Sequence, residues 1–284
     1  MRCEKINMRI KRLVVGVVTF NNHEEELKRF FRTFELSSAK LSPHVEVSLL
    51  SIDNGASSWL SKTEKSISLP SRGNLGFAKA VNLLMEYSFI NLGADIFITC
   101  NPDGFFHVDA ISHLLKAALK FPDCLIEAKT FPEEHPKQYE IETQDTLWAS
   151  GCCLLIPHLI FNKIRGFDEK FFLYMEDVDF SWRARMAGFG IKYCPEALYA
   201  HALVGRDEGK VLRRKHLLLS GRYFAWKWGL KKQLKRCDKE LLSVYGVASE
   251  NLQRFSSKSK IKCSRFFRKL LNKYEFFIFS PVRW

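Results

Sequence analysis

None of the eight cysteines lies in a CxxC pair, so the spacing of zinc ribbons and dithiol redox sites is missing. Cys100, Cys124, Cys152 and Cys194 sit in apolar runs of strand character and read as small reduced core residues. A chain of 284 residues does not need disulfide staples, which points to a reducing compartment. No stretch approaches the roughly 18 consecutive apolar residues of a membrane span. The basic start leads into LVVGVV, six residues against the roughly 7–15 of a secretory signal core. The expectation is a cytoplasmic protein that touches a membrane only from the side. There is no GxGxxG and no Walker-type lysine, so Gly73-Asn74-Leu75-Gly76 by itself reads as a loop and not as a phosphate cradle. No internal repeat and no zinc-finger, helix-turn-helix or RNA-recognition signature is present, and no nucleic-acid partner is expected.

Charge is unevenly placed. Residues 205–284 hold 21 Lys and Arg against 6 Asp and Glu, whereas residues 1–204 hold 23 against 25. This divides the chain into an α/β domain over 1–204 and a basic, aromatic, mainly helical region over 205–284. A tail of that charge suits an anionic partner. Over 205–245, a packed helical subdomain and a membrane-facing surface fit the pattern equally well. Residues 256–262 read as a flexible hinge. Over 261–284, phenylalanine and leucine mix with arginine and lysine, which suits contact with an anionic bilayer.

The first 120 residues alternate between the two periodicities. Residues 13–18 are a continuous β-branched run, the mark of a buried parallel strand. Leu27, Phe30, Phe31 and Phe34 follow at helical spacing, with Asn22 placed to cap and three glutamates in the first turn. Strands are expected at 45–52 and 96–100, and helices at 78–89 and from Val108 to Leu119. That order predicts a doubly wound, mostly parallel sheet with helices on both faces. Ligands of such sheets bind beyond the carboxyl ends of the strands. Three strand ends carry polar clusters there: Thr19-Phe20-Asn21, Asp53-Asn54-Gly55 and Asn101-Pro102-Asp103. Further on, 130–147 reads as a loop, 148–156 as a strand, and Glu176 starts a helix that ends near Met186, with Gly188 as its stop. Short strands at 191–194 and 198–200 lead to His201.

Asp53, Asp103, Asp177 and His201 form an ordered set, each at a strand end or a helix start. A strand-end carboxylate can accept bonds from a base or ribose. A carboxylate with an imidazole can hold a divalent cation on a diphosphate. A further carboxylate can deprotonate a hydroxyl. An enzyme using a nucleotide-activated sugar needs all three. Each piece alone has a plainer reading: Asp53-Asn54-Gly55 is a turn, and Glu176, Asp177 and Asp179 suit the positive end of any helix dipole.

Taken in order, the pieces resemble the family 2 glycosyltransferases, and within them the rhamnosyltransferase-like branch of bacterial surface polysaccharide synthesis. The matching residues are Val18-Thr19-Phe20-Asn21, Asp53-Asn54-Gly55, Gly73-Asn74-Leu75-Gly76-Phe77-Ala78 with Asn82, Asn101-Pro102-Asp103, Gly166-Phe167-Asp168-Glu169, Phe171 through Asp179, Ala187-Gly188-Phe189 and His201. They span roughly residues 13–204. The resemblance implies a GT-A fold and inverting, metal-assisted hexosyl transfer. The donor is a dTDP- or UDP-linked sugar, dTDP-rhamnose being the branch's suggestion, and the acceptor is a glycan or lipid-linked glycan. Thr19, Phe20 and Asn21 frame the nucleotide, Asp53 bonds the base, and Asn74, Gly76, Phe77 and Asn82 line the nucleotide pocket. Asp103 stands at the D-x-D position, with His201 completing the metal site. Asp177 is the base beside Glu176, and Trp148 and Gly151 border the acceptor. Because Asn101-Pro102-Asp103 keeps one carboxylate, the implied Mn2+ or Mg2+ arrives with the donor diphosphate. The Q-x-x-R-W signature of processive members is absent, which implies transfer of one or a few sugars. The implied setting is the inner face of the cytoplasmic membrane. A non-catalytic nucleotide-binding scaffold and a basic-tailed nucleic-acid binder are the competing readings.

Overall fold

The computed structural model describes residues 10–55, 58–63, 66–132, 134–135, 137–201, 210–247, 252, 255–257, 260–264 and 267–269. Cys3, the expected boundary at 204–205 and most of the 261–284 tail lie outside the described residues.

The valine-rich strand β1 (Arg12–Thr19) is buried on both faces, and it pairs in parallel with β2 (Glu46–Asp53). Strand β3 (Ile67–Leu69) continues the sheet beyond β2, and β4 (Ile96–Cys100) lies on the other side of β1, both in parallel. The remaining strands are β5 (Phe105–Phe106), β6 (Cys124–Phe131), β7 (Cys153–Pro157) and β8 (Gly190–Ala200). The order is β3-β2-β1-β4-β7-β6-β8-β5. Here β7 is antiparallel to both β4 and β6, β8 is parallel to β6, and β5 is antiparallel to β8. The predicted α/β sheet is thus parallel through its first four strands and mixed beyond them.

Strand alternation sorts the core into two layers. Leu13, Val15, Val17, Ile96 and Ile98 face α1 (Glu24–Ser38) and α3 (Ala110–Lys120). Val14, Leu50, Ile52 and Phe97 face α2 (Phe77–Glu86), and the same core runs on into α5 (Glu176–Met186), α6 (Lys210–Trp228) and α7 (Lys231–Ser243). Helix α4 (His158–Ile164) contributes Ile160 and Phe161 to that layer. The change of composition near 205 therefore does not begin a separate core: Leu218, Tyr223, Phe224, Trp228 and Leu241 are buried with the body of the protein. Of the two readings of 205–245, packing accounts for the inner faces of both helices.

Four local expectations change. His23, not Asn22, occupies the N-cap of α1; the Asn22 side chain accepts from Phe20 N–H at 3.0 Å and so braces the turn after β1. Residues 148–152 are not part of the strand, which begins at Cys153. Their backbone instead bonds to neighbouring groups, Ala149 N–H to the Ser181 hydroxyl and Gly151 N–H to Asp177. The two short strands at 191–194 and 198–200 are one strand, β8, whose register against β6 slips between Ala128 and Lys129. The slip carries Pro195 past the ladder, where its missing N–H does no harm. The fourth concerns Asn82 and belongs to the site. Gly188, as expected, stops α5 with a left-handed φ of 95°. The seven cysteines among the described residues are all free thiols. Burial pushes the Cys124 and Cys237 thiols up to about 12, which suits inert core residues. No helix among the described residues is long and apolar enough to cross a membrane.

Candidate active site

Parallel pairing in register brings Thr19 beside Asp53. The Thr19 hydroxyl donates to Asp53 Oδ1 at 2.9 Å, and Gly55 N–H donates to the same oxygen at 3.1 Å. Asp53 is buried and its other oxygen has no protein partner among the described residues. Phe20 stands exposed at the rim, and Asn21 adopts a φ of 51° to turn the chain away from the strand. Asn54 reaches across to the next loop, donating to Gly76 C=O at 2.9 Å. Asn74 accepts from Gly76 N–H at 3.1 Å. Gly76 has a φ of 76°, and a Cβ there would meet Phe172 C=O at 2.4 Å. No other residue fits that approach. It lets Phe77 N–H donate to the same carbonyl at 2.7 Å and ties the loop to the segment before α5.

Asn82 is elsewhere engaged. It accepts from Phe167 N–H at 2.7 Å and donates to Phe167 C=O at 2.9 Å and to Glu169 at 3.1 Å. All of its polar capacity holds the 166–169 turn, so it is not brought to the 74–76 loop. The Phe77 ring lies 3.3 Å from where a Gly151 Cβ would stand.

Beyond β4, Asp103 meets His201 from the end of β8. Their Oδ1 and Nε2 are 3.2 Å apart, and Asn101 Nδ2 lies 3.3 Å from the same imidazole nitrogen. The Tyr199 hydroxyl donates to Asn101 C=O at 2.5 Å and His201 N–H to Phe131 C=O at 2.7 Å, which fixes both partners. Asn101 belongs to a strand-end cluster without an assigned role, and Tyr199 carries no site signal in the sequence. No group of three or more metal-ligating side chains occurs among the described residues. One carboxylate and one imidazole make half a site, of the chemistry that fits a divalent cation whose other ligands come from a phosphate and water.

The acidic helix start is set up by two successive residues at positive φ, Tyr174 at 72° and Met175 at 68°. Non-glycine residues seldom adopt this conformation, and pairs of them recur where function fixes the chain. The three acids then part. Asp177, half-buried, accepts from Gly151 N–H at 3.0 Å and Val178 N–H at 2.8 Å. Asp179 is fully buried on the opposite side, among Arg183, Lys227 and Trp228. Glu176 is buried and its Oε2 has no hydrogen-bond partner. Burial, and then the neighbouring Asp177 charge, push its carboxyl well above the usual carboxylate range. The folded protein therefore holds a proton that the unfolded chain releases above about pH 4.5. Its stability contribution is intact in acid and declines as pH rises from there toward the folded value. Glu176→Gln is expected to raise the melting temperature at neutral and alkaline pH with little change in acid. Melting curves across that range check it; an equal shift at every pH contradicts it.

Trp148 is buried rather than presented as an open platform. Its ring lies 4.5 Å from Lys137 Nζ, with the His135 ring edge-on at 5.4 Å. Its indole N–H has no hydrogen-bond partner. Lys137 pairs with buried Glu127 and donates to Trp148 C=O at 2.7 Å. Burial raises the Glu127 carboxyl, an effect that Lys137 opposes. This ion pair pins the 134–147 loop over the sheet, and His135 meets the Ser150 hydroxyl at 3.1 Å one residue from Gly151. A lone lysine in a polar loop gives no sign of it in the sequence.

No protein-family model matches the chain. It is 27% identical to the N-acetylglucosaminyl-diphospho-decaprenol L-rhamnosyltransferase of Mycobacterium tuberculosis, over 67% of this chain and 80% of that protein. It is 32% identical to the rhamnosyltransferase WbbL of Escherichia coli, over 28% of this chain and 31% of that one. Among solved structures, a mannosyltransferase from Pyrobaculum calidifontis in complex with GDP-Man and Mn2+ superposes with a TM-score of 0.60 at 13% identity, covering 97% of this chain and 83% of that chain. That likeness speaks for the fold, which is the GT-A type expected. Sequence leads to rhamnosyltransferases and fold to GT-A enzymes, in keeping with the resemblance to the rhamnosyltransferase-like branch of the family 2 glycosyltransferases.

Proposed function

We propose that this glycosyltransferase moves one or a few sugars from a dTDP- or UDP-linked donor, with inversion, onto a glycan or lipid-linked glycan of a bacterial surface polysaccharide. The names of the relatives make rhamnose the first donor to try. The observation that carries the reading is Asp177. It is held at a helix N-terminus by the N–H of Gly151, on the sheet edge that also carries Asp53 and the Asp103–His201 pair.

Asp53 and the 19–21 and 74–76 turns bind the nucleoside. Asp103 and His201 would hold Mn2+ or Mg2+, which would neutralise charge on the leaving diphosphate. Asp177 takes the proton of an acceptor hydroxyl. The freed oxygen pair forms a bond to the anomeric carbon from the face opposite the diphosphate, and the bond from that carbon to the diphosphate oxygen breaks. Glu176 lies buried beside Asp177, its carboxyl pushed well above the usual range by burial and then by that neighbour. Gly151 belongs to the acceptor side, with Trp148 behind it. Residues 1–204 supply the groups that react, and 205–284 hold the enzyme at the inner face of the cytoplasmic membrane.

The test is the stereochemistry of the product. One-bond C1–H1 coupling in the NMR spectrum reports the new linkage; a single displacement predicts the anomeric configuration opposite to the donor's. Retention, or a mixture of anomers, overturns the assignment of Asp177.

A further inference from the structure

The two acids of α7 both point inward. Asp238 pairs with Arg222 and Glu240 with Arg214, each on α6. Cys237 and Leu241 are buried on the same side. What remains outward is cationic throughout: Lys231, Lys232, Lys235, Arg236 and Lys239 are all exposed. At about 100° per residue these five and Leu242 share an arc of about 140°. The four lysines have no ion-pair partner among the described residues.

The face has an apolar end. The short turn at Gly229 and Leu230 folds α6 and α7 into an antiparallel hairpin, and the Arg214–Glu240 pair sets the last turns of α7 beside the first half of α6. That end carries Leu242 of α7 and, just past its last residue, Val244, 67% exposed, with Leu212 and Val211 from α6, Val211 being 71% exposed. It also adjoins the site: His216 stacks on Phe172 at 5.3 Å, and the Ser220 hydroxyl donates to Leu173 C=O at 2.7 Å, just before the Glu176-Asp177 turn.

We propose that the outer face of α7 and this apolar end form a docking surface for an anionic phospholipid bilayer. The ammonium and guanidinium groups meet headgroup phosphates while the aliphatic side chains enter the interface. Charge complementarity selects an anionic partner. The exposed valines and leucines favour a bilayer over a polynucleotide, whose backbone gives aliphatic side chains nothing to bury against. The inference deepens the membrane-side reading above. It moves the contact from residues 261–284 to the folded α6–α7 hairpin, whose α6 packs on the 172–173 segment before the site, so that a lipid-linked acceptor is presented to Asp177 from the surface the enzyme rests on.

The experiment is vesicle co-sedimentation of the full chain at low salt, using phosphatidylcholine with and without phosphatidylglycerol. Each surface-bound cation strengthens binding by about fivefold, so Lys232→Gln, Lys235→Gln and Lys239→Gln together are expected to weaken binding to the phosphatidylglycerol vesicles by about 100-fold. Val244→Asp is expected to weaken it further, with the melting temperatures of both variants unchanged. Binding that survives the lysine changes overturns the proposal. So does retention of a single-stranded oligonucleotide in preference to the vesicles. Transfer to a short water-soluble acceptor separates the two readings. If the triple variant keeps that activity and loses vesicle binding, both stand. If the wild type binds vesicles through α7 but transfers no sugar, the docking surface stands and the enzymatic reading falls.

Discussion

Asp177→Asn is expected to lower kcat by about 100- to 10,000-fold, the usual contribution of a positioned general base. The amide keeps an oxygen for Gly151 N–H, gives up the acceptor of Val178 N–H and removes the basicity, while the 19–21 and 74–76 turns keep their own bonds. The melting temperature and the stabilisation by bound nucleotide therefore stay near the wild-type values. This pattern distinguishes Asp177 from its neighbours. Asp179→Asn disturbs a buried ion cluster and is expected to act on stability first. A variant at Asp177 with full kcat removes the base from the account; one that unfolds makes Asp177 a structural acid.

The second large effect is expected far from the reacting atoms in sequence. Lys227 on α6 is buried, and its ammonium lies 2.7 Å from both Asp168 and Asp179. Burial alone would raise the Asp168 carboxyl, but Lys227 and the Tyr223 hydroxyl outweigh it and hold the group below the usual range. Lys227→Met leaves both carboxylates buried against a hydrocarbon chain. Breaking a buried pair from one side costs about 3–5 kcal/mol. The lower end applies here because Arg183 still bonds Asp179 at 2.8 Å and Trp228 donates to it at 2.9 Å. A loss of about 3 kcal/mol lowers the melting temperature of a domain of this size by about 6–12 °C. Urea unfolding measures it directly. Because α5 carries Glu176 and Asp177, activity should fall more steeply with temperature than in the wild type. An unchanged midpoint means that α6 is an ornament on the domain rather than part of it.

The sequence and the structure agree where one physical rule acts alone. The run at 13–18 has a single way to be buried, the parallel pairing of β1 with β2 and β4 follows from the alternation with helices, and the three polar strand ends then fall on one edge. Asp103 and His201 are 98 positions apart yet touch, because β4 and β8 end at the same side of the sheet. Where two demands compete for one residue, the sequence is silent about the winner. Asn82 follows the 74–76 loop on α2, but the 166–169 turn takes all of its hydrogen bonds. Asn22 suits a helix cap, but the reversal at Asn21 takes it first. Residues 148–152 are apolar enough for a strand, but their N–H groups go to Ser181 and Asp177. The inward pairing of Arg214, Arg222 and Lys227 is invisible in a count of charges, and with the buried aromatics of α6 it turns part of a basic tail into packed core.

The most direct test of the strand-edge site is nucleotide binding. Melting temperature is measured with dTDP, UDP, GDP and CMP, each with Mn2+, Mg2+ or EDTA, for the wild type and for Asp103→Asn. A ligand at 100 times its Kd stabilises a protein by about 2.7 kcal/mol, enough to move the midpoint by several degrees. The account predicts a shift with dTDP or UDP that is selective, needs the cation, and is lost in Asp103→Asn. No shift with any nucleotide, or one that EDTA and Asp103→Asn leave unchanged, contradicts it.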